Sequence, residues 1–191
     1  MLQQLLQQDK ELFLFLNGLG SPAWDGFWMG LTNKLGFVAI MTYALLLFLG
    51  YRRFGLKKMG IVLLGVALMI LATDQLANLF KYGFERLRPC HDPDIGTLVR
   101  LVKPYCGGRF GYFSAHAANI MALVVFFTGI LKSNQKIIGF MLFAWAIMVG
   151  YSRIYIGVHF PLDVLTGTLI GTIFGWLFAK LVIFVLHRDI R

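Results

Sequence analysis

A cation, an imidazole and a carboxylate occur close together in residues 151–163, which read YSRIYIGVHFPLD. Arg153 precedes His159 by six residues, and Asp163 follows His159 by four. Because proline is tolerated in the first turn of a helix, Pro161 predicts that a helix begins just after His159, with Asp163 within reach of the ring. A carboxylate bonded to one ring nitrogen leaves the other nitrogen basic, as a nucleophile or base requires. A capped helix start with a satisfied histidine is the alternative for this stretch taken alone.

The composition excludes an ordinary soluble domain. The chain has 191 residues, of which 58% are hydrophobic and 14% are charged. Several segments near 20 residues in length carry almost no charge, and this is the length that a helix needs to cross a bilayer. We therefore predict a single membrane-embedded domain over residues 1–191. Its fold class is all-α, a polytopic membrane helix bundle with about five transmembrane helices and an interfacial N-terminal helix.

The predicted elements follow from the apolar runs. Residues 1–33 place leucines among glutamines and lack the basic start of a secretory signal, so they predict a helix lying in the membrane interface. The second crossing is followed by a polar loop, residues 81–113. The predicted crossings are residues 35–49, 59–80, 114–131, 137–150 and 162–186.

The net charge of +9 is spread over the loops that flank the membrane. This distribution favours anionic lipid head groups or phosphate esters as partners, and it disfavours nucleic acid. Short loops rich in lysine and arginine usually stay in the cytoplasm. The cations that this rule places in the cytoplasm are Arg52, Arg53, Lys57, Lys58, Lys132, Lys136, Arg188 and Arg191. The loop over residues 81–113 then lies outside the cytoplasm, where Cys90 and Cys106 can form a disulfide; two unrelated thiols are the alternative.

The topology brings the unusual polar residues to one side of the membrane. Crossings two and four end there, and crossings three and five begin there. These four ends carry three cations and two histidines, namely Lys81, Arg88, Arg153, His116 and His159. Snorkelling to head groups would explain each cation singly, but it leaves the two histidines at the same level unexplained.

Ser114 is well placed to cap the third crossing. The backbone N–H groups of Ala115, His116 and Ala117 would then point outward, towards an anion. With the three cations nearby, the arrangement predicts a site for a doubly charged, oxygen-rich group, and a phosphoryl group fits better than a carboxylate. Capping alone would also explain Ser114.

Two further patterns lie inside the crossings. Asp74 and Asn78 are one turn apart, in register with Lys81. A carboxylate in the membrane is costly unless it is paired, so these residues either support the polar cluster or form a simple hydrogen-bonded packing contact. The last crossing has a glycine at every fourth position from Gly167 to Gly175, which predicts close helix packing.

Three motifs resemble those of the type 2 phosphatidic acid phosphatases. Residues 81–89 read KYGFERLRP and match the family's lysine, six residues and Arg-Pro. Residues 152–163 read SRIYIGVHFPLD and match its Ser-Arg, five residues, His, three residues and Asp. Between them, residues 113–116 read FSAH where the family typically has Pro-Ser-Gly-His. The outer motifs are specific at this spacing and order.

The resemblance implies a lipid phosphatase that uses neither metal nor cofactor and works through a phosphohistidine. It implies that His159 is the nucleophile, that Asp163 orients it, and that His116 is the general acid. Ala115 and Phe113 replace the family's glycine and proline, which changes the local loop geometry but removes no reacting group. The groups implied to hold the substrate phosphate are Lys81, Arg88, Ser114, Ala115 and Arg153.

The compact size and the interfacial N-terminus are similar to bacterial members that hydrolyse undecaprenyl diphosphate. The expected reaction is therefore the conversion of undecaprenyl diphosphate to undecaprenyl phosphate and phosphate, at the periplasmic or extracytoplasmic face of a bacterial inner membrane. The alternatives are a lipid A 1- or 4′-phosphatase and a phosphatidylglycerophosphate or phosphatidate phosphatase. A channel or transporter should show broken helices or charges near mid-membrane, and Asp74 alone hints at that. A haloperoxidase using vanadate in a similar pocket is disfavoured because the chain consists mainly of membrane helices.

Overall fold

The described residues form an all-α, polytopic membrane helix bundle. The computed structural model of the chain describes residues 1–131 and 136–188. Two of the predicted cytoplasmic cations, Lys132 and Arg191, lie outside the described residues. The helices are α1 (Leu2–Gly18), α2 (Pro22–Thr32), α3 (Phe37–Phe84), α4 (Ala115–Leu131), α5 (Lys136–Tyr155) and α6 (Pro161–Arg188).

Helix α3 contains the first two predicted crossings and folds back on itself at Gly55. Gly55 has φ 72° and ψ 170°, a left-handed φ that glycine adopts without steric cost. On either side of it Gly50 lies against Met59, so the two halves of α3 run back alongside each other. The reversal predicted between residues 49 and 59 is therefore confirmed, but it is made at Gly55 and not by a loop over the whole stretch. Lysine and arginine, which fill much of this stretch, are good helix formers.

Four helices supply the membrane-spanning part of the bundle. The segment Pro22–Phe84, which contains α2 and α3, and the helices Lys136–Tyr155 and Pro161–Arg188 are long and apolar enough to cross a bilayer. Helix α4 is shorter, with 17 residues, and most of its side chains are buried because α3, α5 and α6 surround it. With α3 counted as two crossings, the bundle has the predicted number of apolar segments.

The glycines of α6 press it against α4. A Cβ atom added to Gly167, Gly171 or Gly175 would collide with the carbonyl oxygen of Ser114, Ala118 or Ala122, respectively. The predicted role of this glycine series in close packing is thus confirmed. The contact brings the first turns of the two helices together, and the Ser114 N–H donates a 2.9 Å hydrogen bond to the Asp163 carbonyl.

The N-terminal segment, predicted as one interfacial helix, folds as α1 and α2. Pro22 begins α2, in keeping with its fit to a first helical turn. In α1, Phe13 is fully buried and its ring meets that of Phe160, with 5.3 Å between centroids. The Asn17 side-chain amide donates to the backbone carbonyls of Arg100, Ile154 and Tyr155. Helix α1 is therefore tied to the loop that follows α3, to the last turn of α5 and to the loop after it.

Candidate active site

His159 lies between α5 and α6, and its residue exposure is 3%. Its Nε2 atom is 3.5 Å from Nη1 of Arg88. Its Nδ1 atom is 3.5 Å from Oδ2 of Asp163, which sits in the first turn of α6 after Pro161. One ring nitrogen thus faces a carboxylate and the other faces a cation. The spacing of His159 and Asp163 predicts the first of these neighbours but not the second.

The surroundings keep the His159 ring neutral. Burial lowers its pKa well below the ordinary 6.5, and the charges of Arg88, Arg153 and Lys81 lower it further. A neutral imidazole with its proton on the side of Asp163 presents an unprotonated Nε2 to the cations. That nitrogen can attack an electrophile bound among them.

Asp163 is itself held by groups that the sequence did not single out as site residues. Its Oδ2 accepts a 3.0 Å hydrogen bond from the Phe160 N–H, and its Oδ1 pairs with Nη1 of Arg86 at 2.7 Å. Arg86 also pairs with Asp9 of α1, which accepts a 2.9 Å hydrogen bond from the Leu162 N–H. Arg86 lies inside the KYGFERLRP motif, so its position was a usable signal. The position of Asp9 gave no such signal, because Asp9 is one polar residue among several in an amphipathic helix.

Arg88 and Arg153 each carry a buried donor without an acceptor. Nη1 of Arg88 donates to the Val158 carbonyl at 3.2 Å, and Nη1 of Arg153 donates to Oγ1 of Thr32 at 2.8 Å. The Nε atoms of both arginines are buried and have no hydrogen-bond partner among the described residues. Such donors are costly to leave unpaired, and a bound phosphoryl oxygen would supply the missing acceptor.

Two lysines add positive charge. Lys81 lies in the last turn of α3, so the polar loop begins at residue 85 and not at 81 as predicted. Lys103, which no pattern in the sequence indicated, is part-buried in that loop. Burial lowers the pKa of Lys103, and the charges of Arg153 and Arg88 lower it further, which places Lys103 near the same cations.

Ser114 and His116 open α4 at the same level. The Ser114 side chain is fully buried, and its Oγ accepts a 3.4 Å hydrogen bond from the Ala117 N–H, as predicted for a cap. The N–H groups of Ala115 and His116, in the first turn, have no intrahelical acceptor. Since the start of α4 lies against the start of α6, the structure places His116 and His159 on the same face of the bundle.

The loop that carries Arg88 is closed by its cysteines. The structure joins Cys90 to Cys106, with Cα atoms 6.3 Å apart. Beside this bridge, Gly107 has φ 90°, and a Cβ added there would lie 3.6 Å from Cζ of Arg88. The bridge thus sits next to the guanidinium that faces His159.

Asp74 makes a hydrogen-bonded packing contact, one of the two predicted alternatives. Asn78 is exposed and takes no part in the polar cluster. Instead, Oδ1 of Asp74 accepts a 2.8 Å hydrogen bond from Nδ2 of Asn119 on α4. The partner comes from another helix because α3 and α4 pack together, which spacing within one helix does not reveal.

Comparison with known proteins agrees with the resemblance drawn from the motifs. The family model of the PAP2 superfamily matches residues 61–185. The chain is 36% identical over 188 residues to the lipid A 4′-phosphatase of Porphyromonas gingivalis, covering 98% of this chain and 78% of that protein. It is 35% identical over 190 residues to the lipid A 4′-phosphatase of Bacteroides thetaiotaomicron, covering 98% and 81%.

More distant proteins share most of the same length. The undecaprenyl-diphosphatase of Sulfolobus acidocaldarius is 31% identical over 181 residues, covering 94% of this chain and 81% of that protein. The crystal structure of Aquifex aeolicus LpxE matches with a TM-score of 0.65 and 28% identity, covering 89% of this chain and 93% of that one. The family match, the near full-length relatives and the membrane helices together show that this chain is a membrane lipid phosphatase and belongs to the PAP2 superfamily.

Proposed function

We propose that this chain removes a phosphate group from lipid A, using His159 as the nucleophile. The observation that carries the reaction is the position of His159, with Asp163 at Nδ1 and Arg88 at Nε2. The substrate is supported by the two lipid A 4′-phosphatases, which are similar over 98% of this chain. Undecaprenyl diphosphate, the substrate expected from the sequence, is the second candidate, because a relative of that name is 31% identical.

In the first step, the Nε2 lone pair of His159 attacks phosphorus and the bond to the lipid oxygen breaks. His116 gives its proton to that oxygen, so the lipid leaves as an alcohol. In the second step, a water oxygen attacks phosphorus, the electrons of the P–N bond return to Nε2, and His116 takes a proton from the water. Asp163 stabilises the positive ring that exists between the two steps.

The remaining residues bind the phosphoryl oxygens. Phosphoryl transfer depends mainly on positioning and charge neutralisation, which fixed cations can supply in a half-buried site. Arg88 and Arg153 have unpartnered Nε donors for this task. Ser114 fixes the first turn of α4, whose free N–H groups include that of Ala115. Lys81 supplies further positive charge, and so does Lys103, which the sequence did not predict.

The orientation in the membrane is also a proposal. Arg53 and His187 line one small cavity, so the Gly55 bend and the end of α6 lie together, away from the site. These short basic ends favour the cytoplasm. The paired cysteines favour an oxidising compartment for the opposite face, which carries the site. We place the site at the extracytoplasmic face of a bacterial inner membrane, in a single domain over residues 1–191.

The test is phosphate release by purified protein from four lipids: lipid A, undecaprenyl diphosphate, phosphatidate and phosphatidylglycerophosphate. Lipid A should have the highest kcat/KM, and mass spectrometry of the product should show loss of the 4′-phosphate. Faster turnover of another lipid, with little release from lipid A, would reject the substrate.

A histidine pair tests the nucleophile. His159→Ala should abolish phosphate release, whereas His91→Ala, which changes an exposed histidine of the loop, should leave it intact. When the wild type reacts briefly with labelled substrate and is then quenched, an acid-labile phosphoenzyme should be trapped. His159→Ala should yield none. Substantial turnover by pure His159→Ala would remove the assignment.

A further inference from the structure

A cavity of about 400 Å³ lies beside His116, between the two halves of α3 and one face of α4. Its lining on α4 extends from His116 to Phe127, which is about 16 Å at the helical rise of 1.5 Å per residue. This depth is about half of the roughly 30 Å hydrocarbon layer. The cavity therefore has the length of one leaflet.

The walls of the cavity are apolar and partly open to the bilayer. Leu35, Leu47 and Leu63 line it and are 80%, 42% and 47% exposed, respectively. Apart from Tyr43, the polar lining residues occupy the end next to the site; they are Lys34, Asp74, His116 and Asn119. The cavity thus has a polar mouth and an apolar body, and a lipid can enter it sideways.

The proposed mechanism decides which part of the substrate meets this mouth. His116 protonates the oxygen through which the lipid leaves, and His116 also lines the cavity. With the phosphoryl group among the arginines, the leaving lipid must extend from the His116 side. An acyl chain then lies in the apolar body, and the groups nearest the leaving oxygen lie at the mouth.

At the mouth, Asp74 is held in one orientation with one oxygen unused. Thr73 donates its hydroxyl proton to Oδ1 of Asn119, which turns the Asn119 amide N–H towards Asp74. Oδ1 of Asp74 accepts that N–H at 2.8 Å. Oδ2 of Asp74 accepts none of the hydrogen bonds found within residues 1–131 and 136–188. A carboxylate oxygen at the edge of an apolar cavity is stabilised by a hydrogen-bond donor.

We propose that Asp74, oriented by Asn119, is a specificity-determining residue that accepts a hydrogen bond from a hydroxyl or amide N–H of the leaving lipid. The inference rests on the proposed function and deepens it. An acylated amino sugar carries such donors near its phosphate, whereas the glycerol of phosphatidate carries esters that cannot donate. A polyprenyl diphosphate would place its second phosphate at the mouth, and the Asp74 carboxylate would repel it.

The test compares kcat/KM for lipid A with kcat/KM for phosphatidate in each variant. Asp74→Ala should lower the lipid A to phosphatidate ratio by about tenfold or more, the worth of one hydrogen bond to a charged group. Asp74→Asn keeps the shape and a weaker acceptor, so its ratio should lie between those of Asp74→Ala and the wild type. The matched control, Asn78→Ala, changes an exposed polar residue one turn along the same helix and should not alter the ratio.

The outcomes separate this inference from the proposed function. Equal losses on both lipids in Asp74→Ala and Asp74→Asn would show a merely structural role and overturn the inference. If the wild type hydrolyses phosphatidate but not lipid A, the proposed substrate fails. In that case the comparison uses phosphatidylglycerophosphate, a lipid that carries a hydroxyl donor. If Asp74→Ala leaves the ratio of its kcat/KM to that of phosphatidate unchanged, the inference is overturned too.

The cavity itself can be tested by filling it. Ile70→Trp places a large ring in the lining, whereas Leu71→Trp places it on a neighbouring side chain that is 55% exposed and outside the cavity. Ile70→Trp should raise KM for long-chain phosphatidate more than for a short-chain form, and Leu71→Trp should not. An equal response of the two variants would show that the chain lies elsewhere, and the Asp74 assignment would fall with it.

Discussion

Arg86 and Asp163 form a 2.7 Å ion pair directly behind the proposed nucleophile. The Asp163 side chain is fully buried, and its other oxygen faces Nδ1 of His159 at 3.5 Å. The cation therefore fixes the carboxylate that we propose orients the imidazole. Arg86 also lies 4.5 Å above the Phe160 ring, which limits its own movement.

Arg86→Ala should damage both stability and turnover. Removing one partner of a buried ion pair costs about 3–5 kcal/mol, since the other charge stays buried and unpaired. We expect a lower Tm in detergent and a kcat reduced by about a hundredfold, the effect of a small misplacement of a reacting group. Arg86→Lys should recover part of both, and Arg109→Ala, at an exposed arginine of the same loop, should change neither. Wild-type kcat in Arg86→Ala would contradict the positioning role.

Asp9 and Arg86 should be energetically coupled. Burial raises the pKa of Asp9, while its contacts with Arg86 and the Leu162 N–H oppose that rise. Asp9→Ala should therefore lower the Tm of the wild type but have a smaller effect when Arg86 is already alanine. Groups in one network typically show coupling of about 0.5–3 kcal/mol. Additive changes in the double variant would mean that α1 does not act on the site through Arg86.

His159 should stay neutral at mildly acidic pH. Its pKa is lowered well below 6.5, chiefly by burial, so the folded protein should bind no proton there as the pH falls through 6.5. The unfolded chain does bind one, and the stability contributed by this residue should therefore fall as the pH drops below 6.5. NMR of ¹⁵N-histidine, assigned with His159→Gln, measures the pKa directly. Titration of the His159 signal near 6.5 would contradict the expected environment.

Turnover should not depend on a divalent metal. The proposed phosphate site is built from cations and backbone N–H groups, which can neutralise the phosphoryl charge themselves. EDTA should leave kcat unchanged, and orthovanadate, which mimics the five-coordinate phosphoryl state, should inhibit competitively. A loss of activity in EDTA that is restored by added metal would reject this mechanism, as would indifference to vanadate.

The cysteine bridge should support the loop that carries Arg88. Closing a loop of this size contributes about 3 kcal/mol in the chain-entropy estimate, for a sequence separation of 16. Reductant should lower the Tm and raise KM in the wild type but not in the Cys90→Ser/Cys106→Ser double variant. Thiol labelling in intact cells checks the bridge, because the two cysteines should react only after reduction. Reaction without reductant would show free thiols.

The local part of the site could be predicted because it follows from short-range rules. Pro161 marks the start of α6 and thereby places Asp163 one turn from His159. Ser114 has the residue type that caps a helix, and it does so. The level of the two histidines followed from counting crossings.

The long-range part could not be predicted from one sequence. Asp9 reaches Arg86 through the docking of α1, and nothing in its local pattern encodes that partner. The same is true of Asp74, whose partner Asn119 comes from α4 while Asn78 faces outward. The reversal between the first two crossings was predicted, but the charges around it, which in an apolar chain imitate an exposed loop, hid the continuation of the helix up to Gly55 on both sides.

The contact of the α6 glycines with the backbone carbonyls along α4 has a consequence for how the sequences of such proteins can change. It is made by main-chain atoms, so the separation of His116 and His159 does not depend on side chains that face the lipid. Those outward positions are free to change from one membrane to another without retuning the chemistry. A single methyl group added at Gly171, by contrast, would collide with the Ala118 carbonyl and push the starts of the two helices apart.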